Sequence, residues 1–374
     1  MRQMNRFIYQ HKDWPNFKWD DSQIMNLIGQ VRNLQGRLMG KMESLGLELQ
    51  NEAILDTLTL EVIKSTEIEG EFLNPEQVRS SIARRLGMEI AGSVESDRNV
   101  DGMVDMMIDA TQNCFKELTA ERLFDWHSAL FPSGRSGMYK IAVANWRNDS
   151  KGPMQVVSGP MGKEKVNFQA PDSVIVPEEM DRFIDWFNIE EQIDLVIKAA
   201  VAHLWFVSVH PFEDGNGRIA RAFTDMLLAR SDKSTQRFYS MSAQIRIERK
   251  AYYEVLEKTQ KGSLDITIWI IWFLDCLMEA LKSTESILSR VLKKAVFWQK
   301  HNSALLNERQ RLILNKLFDG FEGKLTSSKW AKIAKCSNDT ALRDIQDLIS
   351  KKILKKEEAG GRGSNYKLGT EFGN

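Results

Sequence analysis

Cysteine is scarce in this 374-residue chain: Cys114, Cys276 and Cys336 stand far apart, with no metal-ligand spacing among them. Isolated thiols of this kind read as reduced side chains in a cytoplasm. An excess of one charge is also missing. The 51 basic and 51 acidic residues cancel, so no global field draws the chain to nucleic acid or to an anionic membrane. Long apolar runs are lacking too. The two longest, near 193–209 and 266–281, are interrupted by Lys198 and His203, and by Asp275 and Glu279; both are short for a membrane span. The first residues, Met1 to Asn5, run into Asp and Trp rather than an apolar signal core. These absences predict a soluble cytoplasmic protein without a membrane partner, and the length allows two or three domains.

The chemistry is concentrated in one stretch, His210-Pro211-Phe212-Glu213-Asp214-Gly215-Asn216-Gly217-Arg218, followed by Ile219-Ala220-Arg221. Residues 193–209 before it are almost continuously apolar, which predicts a buried helix. Pro211 disfavours helical geometry at His210, so that helix stops there. Ile219, Ala220, Ala222, Phe223, Met226 and Leu227 recur with helical spacing, so a second buried helix starts near Gly217. Gly215 and Gly217 permit a tight turn whose N–H groups face the new helix start, an arrangement suited to phosphate. Arg218 and Arg221, three apart, share one face and can clamp phosphate oxygens. Asp214 is a hard oxygen ligand suited to Mg2+. Asn216 can donate to a phosphate oxygen from the mouth of the turn. His210, with an ordinary pKa near ~6.5, suits a general base.

Residues 210–221 match without departure the pattern His-Pro-Phe-x-(Asp/Glu)-Gly-Asn-(Gly/Lys)-Arg-x-x-(Gly/Arg), and the chain thereby resembles the Fic family. The resemblance implies a mainly α fold and a nucleotidyltransferase that moves AMP from ATP to a protein Ser, Thr or Tyr hydroxyl. By that resemblance His210 is the base and Asp214 holds Mg2+. Asn216 and the loop amides of Gly215 and Gly217 bind the α- and β-phosphates. Arg218 and Arg221 bind phosphates, Arg221 reaching the γ-phosphate.

Upstream, residues 5–20 form an aromatic lead-in, and helices are expected near 21–45, 52–69, 74–90, 100–118 and 120–131. Ser65 and Glu69 are four apart on one helix face, with Gly70 placed to end the helix. By composition alone this is an ordinary polar helix end. Beside a Fic core it resembles the family's inhibitory helix, with Ser65, Glu69 and Gly70 filling Ser/Thr-x-x-x-Glu-(Gly/Asn). His127, on helix 120–131, reads as structural. Gln155-Val156-Val157 and Lys165-Val166-Asn167-Phe168 predict a hairpin turning at Gly159-Pro160-Met161-Gly162. It resembles the Fic flap, which pairs edge-to-edge with an extended segment of the target protein. Tyr252 and Tyr253 resemble the pair that lines the adenine pocket of Fic domains.

Residues 301–374 hold 14 Lys and Arg against 9 Asp and Glu. Helices from Glu308, at Trp330–Ala334 and over 339–350, then a hairpin around Gly360 to Asn365, resemble a winged helix. Its recognition helix would be capped by Asn338 or Asp339 and expose Thr340 and Arg343. DNA contact and a protein-interaction module both stay open for it.

The expectation is therefore a helical N-terminal domain over 1–95 with its inhibitory helix near 52–70, a Fic core over 96–285 with its flap near 153–171, and a linker helix with a winged helix over 286–374. The expected activity is protein adenylylation restrained by Glu69. Alternatives are removal of AMP, transfer of another phosphate-containing group, or a DNA-bound regulator that senses nucleotide. A homodimer is compatible with each.

Overall fold

The computed structural model describes residues 7–90, 92–150, 152–158, 165–189, 193–301, 306–321, 323–357 and 364–369. Helices dominate, and the chain sorts into two compact units: Met1–Gly46 with Ile54–Thr284, and Leu47–Ala53 with Glu285–Asn374. Among the described residues no helix is long and apolar enough to cross a membrane.

Helix α1 (Asp21–Glu43) starts where the Asp20 carboxylate accepts from the Ser22 N–H, an N-cap. Helix α2 (Leu47–Ile68) starts earlier than the expected residue 52, because Gly46 supplies the extended N-cap backbone. Helix α3 (Pro75–Arg85) opens on an Asn74 cap with Pro at its first position, and it stops short of residue 90 where Gly87 takes a φ of 66°. Helices α4 (Arg98–Gln112) and α5 (Ala120–Leu130) cross closely at Gly102, where a β-carbon would stand 1.7 Å from the Ala129 carbonyl oxygen. A short ribbon, β1 (Arg135–Ser136) with β2 (Tyr139–Lys140), follows.

The expected flap is an antiparallel pair, β3 (Gln155–Ser158) and β4 (Lys165–Gln169), with a bulge between Val156 and Val157. The expected turn at 159–162 lies outside the described residues. Phe168 of β4 packs edge-on against Phe7 at 5.1 Å, and Phe7, Phe168 and Ala170 form a small buried cluster of their own. The aromatic lead-in thus braces the strand pair.

The centre of the unit is the pair α7 (Leu195–Val209) and α8 (Asn216–Asp232), preceded by α6 (Val176–Asn188). Every residue of α7 from Val196 to Val209 is buried, so neighbours cover it on all sides. Phe183 of α6 meets Phe206 and Phe223 at 5.7 and 5.6 Å. Each large apolar side chain buried this way stabilises the fold by about 1.5–3 kcal/mol. Helices α9 (Met241–Ile247) and α10 (Arg249–Gln260) are separated at Glu248. The apolar run near 266–281 and the linker helix expected from 286 form one continuous helix, α11 (Thr267–Lys300), since no Gly or Pro interrupts residues 267–300.

In the second unit α12 (Glu308–Phe318), α13 (Ser327–Ile333) and α14 (Asn338–Ser350) precede an antiparallel pair, β5 (Leu354–Lys356) and β6 (Tyr366–Leu368). Leu325 bridges to Tyr366, and Ile313, Leu314, Trp330, Ile345 and Leu348 fill the core. The N-cap of α14 is Ser337, not Asn338 or Asp339: its Oγ accepts from the Thr340 N–H, and Asn338 is already helical. Gly360 to Gly363, expected in the hairpin turn, lie outside the described residues.

Candidate active site

Helix α7 delivers His210 and stops there. The His210 N–H still bonds the Phe206 carbonyl, while the residue itself turns left-handed (φ 53°, ψ 59°). For a non-glycine residue this conformation costs about 1–2 kcal/mol, so the surroundings must hold it. The His210 carbonyl accepts from the Arg147 Nε–H at 2.7 Å. Nδ1 lies 3.3 Å from the Val207 carbonyl, which assigns the ring proton to Nδ1 and leaves the Nε2 lone pair open. Burial pushes the imidazole down to about 4, so it is neutral at pH 7, as a base must be.

The loop that follows is held from inside. The Phe212 ring stacks on His127 at 4.2 Å. His127 is buried; its Nδ1 accepts from the Ala144 N–H, so Nε2–H donates to the Asp214 carbonyl at 3.2 Å. That is the structural role expected for it, and burial pushes its pKa down to about 4. Gly215 adopts φ 83°, and a β-carbon there would lie 2.9 Å from the Phe131 ring. Asn216 is placed otherwise than expected. Its Oδ1 accepts from the Phe212 N–H at 3.0 Å and its Nδ2 donates to the Phe212 carbonyl at 2.8 Å, so both polar atoms close the loop. The Asp214 carboxylate accepts from the Ser136 hydroxyl and the Gly215 N–H, at 2.5 and 2.6 Å.

The end of α2 meets the start of α8. Arg221, buried, donates from Nε to the Ser65 hydroxyl at 2.8 Å and from Nη2 to the Glu69 carboxylate at 2.7 Å. Nη2 also reaches the Ser65 carbonyl at 2.9 Å. Glu69 Oε1 lies so close over Gly217 that a β-carbon there would be 2.2 Å away. Gly70 takes φ 86° as it leaves the helix, the conformation expected of the residue that ends it. Arg218 Nη1 pairs with Glu71 at 2.7 Å, and its Nη2 lies 3.6 Å from Asp214. Arg249 donates to the Ile68 carbonyl at 2.7 Å and lies over the Tyr253 ring. Among the described residues, Arg218 Nε and Arg221 Nη1 are buried donors without a hydrogen-bond partner. Buried cationic donors left open at a helix start suit an anion.

The tyrosine pair divides. The Tyr253 hydroxyl is 3.4 Å from Glu69, and burial with the neighbouring carboxylate pushes its pKa up to about 12, so it donates. Tyr252, 2% exposed, is buried beside Arg221. Its hydroxyl donates to His203 Nε2 at 2.9 Å, His203 Nδ1–H donates to Thr224, and Thr224 donates to the Ala220 carbonyl. Sequence reasoning missed Arg147, Ser136, Glu71 and Arg249, which lie outside the motif. Glu71, next to Gly70, carried the only local signal.

Residues 117–228 match the Fic/DOC family, and residues 7–88 match a domain of unknown function, DUF4172. This chain carries a Fic/DOC family domain. The chain is 30% identical over 179 residues to protein adenylyltransferase fic-1 of Caenorhabditis elegans, covering 47% of this chain and 32% of that one. It is 36% identical over 104 residues to protein adenylyltransferase Fic of Drosophila willistoni, covering 27% and 19%. The chain thus spans about a third or less of the length of these curated relatives. A Fic family protein from Desulfovibrio desulfuricans G20 has a similar fold, with a TM-score of 0.52 at 18% identity over 93% of this chain and 96% of that one. His210 to Arg221 lie inside the matched Fic domain; the α2 residues Ser65 and Glu69 lie inside the matched domain of unknown function.

Proposed function

We propose that the Fic domain transfers AMP from ATP to a Ser, Thr or Tyr hydroxyl of a protein, and that Glu69 restrains the reaction. The observation that carries this reading is the Glu69–Arg221 pair, 2.7 Å long, at the start of the helix that follows His210 and its glycine turn. A carboxylate and a phosphate compete for the same guanidinium, so Glu69 occupies the place of a γ-phosphate. The adenylyltransferase names of the relatives support AMP as the group transferred.

In this mechanism His210 Nε2 takes the acceptor's hydroxyl proton as the hydroxyl oxygen bonds the α-phosphorus. The bond from that phosphorus to the bridging oxygen breaks, and pyrophosphate leaves with the electron pair. The loop amide of Gly217, with Arg218 and Arg221, holds the phosphates, and the Gly215 amide joins them once it leaves the Asp214 carboxylate it bonds here. Asp214 fits a divalent cation: it is a hard carboxylate, 41% exposed, with the Ser136 hydroxyl alongside, and Mg2+ needs only one or two carboxylates beside waters and phosphates. When bound, Mg2+ neutralises phosphate charge; Asp214 is the residue that would hold it. The acceptor segment would pair with the flap edge of β3. Cytoplasmic residence is part of the same reading.

Incubation with Mg2+ and ATP labelled at either the α- or the γ-phosphate tests this reading. Protein labelled only by the α-form supports AMP transfer; protein labelled by the γ-form overturns it.

For residues 306–369 a winged helix that binds DNA is the reading we favour over an interaction module. The Asp344 carboxylate pairs with Arg309 at 2.8 Å, and Asp347 with Lys351 at 2.7 Å, so these two of the three acidic residues of α14 are paired within the unit and leave Arg343 as the cation of that helix. DNA retention by the full chain should weaken steeply with salt and weaken further in Arg343→Ala. Retention insensitive to both favours the interaction module.

A further inference from the structure

We infer that Arg147 is a positioning residue that holds His210 in register with the flap. The inference rests on the assignment of His210 as the base and of β3–β4 as the acceptor-docking hairpin.

Arg147 lies in the irregular segment between the β1–β2 ribbon and the flap, after Trp146, which packs against Phe124 and Phe212 at 4.5 and 5.1 Å. Its side chain is completely buried. Nε donates to the His210 carbonyl at 2.7 Å, and Nη2 donates to the Pro171 carbonyl and, at 3.5 Å, to that of Val209. Nη1 pairs with Asp149 at 2.6 Å. The Arg147 backbone N–H donates to the Pro211 carbonyl at 2.8 Å. Three consecutive carbonyls at the end of α7, which the helix cannot satisfy itself, therefore end on one residue.

The other end of the same guanidinium reaches the base of the flap. Ala170, directly after β4, donates to the Met154 carbonyl at 3.0 Å and closes the hairpin; Pro171 follows it. Asp149 accepts from the Ser173 N–H at 2.7 Å, and its own N–H donates to the Ser173 hydroxyl. One planar fork thus spans the left-handed His210 and the root of the strand pair. Its geometry is rigid, and an ammonium cannot reproduce it because its donors share one point.

The consequence follows from what transfer demands. The base must lie within hydrogen-bond reach of a hydroxyl that the flap presents, and a misplacement of about 1 Å costs about a hundredfold in rate. Arg147 is sealed beneath the loop and touches neither acceptor nor phosphate in this reading. It acts through His210 and Pro171.

The test uses the full chain carrying Glu69→Gly, with and without Arg147→Gln or Arg147→Lys. It measures label transferred from α-labelled ATP to the chain itself, and the affinity for a fluorescent ATP analogue. Folding is checked by thermal unfolding. Transfer should fall about a hundredfold in both variants while nucleotide affinity stays within about threefold, and Lys should not rescue it. Transfer within a few-fold of Glu69→Gly in folded Arg147→Gln, or nucleotide affinity falling in parallel with transfer, overturns the inference. If Glu69→Gly alone transfers no label, the functional reading fails separately. The positioning claim then stands or falls on histidine NMR of the free protein. With Arg147→Gln the His210 ring should titrate nearer its ordinary value while His203 is unmoved; an unchanged His210 overturns the claim.

Discussion

Glu69 and Arg221 meet at 2.7 Å directly over Gly217, so one carboxylate joins the end of α2 to the first turns of α8. Ser65 grips the same guanidinium one turn earlier. Glycine at 217 is what lets the carboxylate come so close, since any β-carbon would displace it.

A second pair lies beside the first. Glu71, half-exposed, pairs with the buried Arg218. Glu71→Ala should free Arg218 and raise AMP transfer, though far less than removal of Glu69. An exposed partner contributes little, so a gain of about two- to fivefold is expected, with the melting temperature almost unchanged. Initial rates for the two single variants check this; a loss of transfer in Glu71→Ala contradicts it.

With His210 as the proposed base, transfer should persist at lower pH than an ordinary histidine allows. Burial lowers the His210 pKa to about 4 from 6.5, so the neutral, proton-accepting form persists as pH falls through 6.5 and is lost only as pH nears the lower value. In Glu69→Gly, the acid limb of kcat/KM, which reports the free enzyme, should therefore fall well below pH 6.5. An acid limb at or above 6.5 contradicts the assignment of the base or of its environment.

Tyr252 and Tyr253 should behave differently. Tyr252→Phe strands the buried His203 Nε2 and should cost about 1–3 kcal/mol of stability with little change in nucleotide affinity. Calorimetry and nucleotide titration of the variant measure both; a large affinity loss in a stable protein would return Tyr252 to the nucleotide pocket.

What was legible beforehand follows from how local each feature is. The Pro211 stop and the glycine turn are written within a dozen residues, and α7 and α8 stand where the apolar pattern puts them. The Ser65–Glu69–Gly70 face was readable from helical spacing, but its partner 152 residues away in sequence was suggested only by a family resemblance. Where Asn216 sits was not legible, because an amide can serve a ligand or its own loop, and only the folded backbone shows Phe212 within reach. Arg147 gave no sign at all. Its bond to His210 spans 63 residues, and nothing in an irregular segment marks an arginine as buried. The linker helix expected from 286 runs on from the apolar run before it, because a boundary between domains need not break a helix that holds no Gly or Pro.

The most direct measurement is the rate of AMP transfer onto the chain itself, from α-labelled ATP with Mg2+, for the wild type, Glu69→Gly, Arg221→Ala and the double variant. The restraint by Glu69 predicts a slow wild type, a strongly accelerated Glu69→Gly, and no transfer in Arg221→Ala or in the double, because the phosphate clamp itself is gone. A Glu69→Gly no faster than wild type, or a double variant as active as Glu69→Gly, contradicts it.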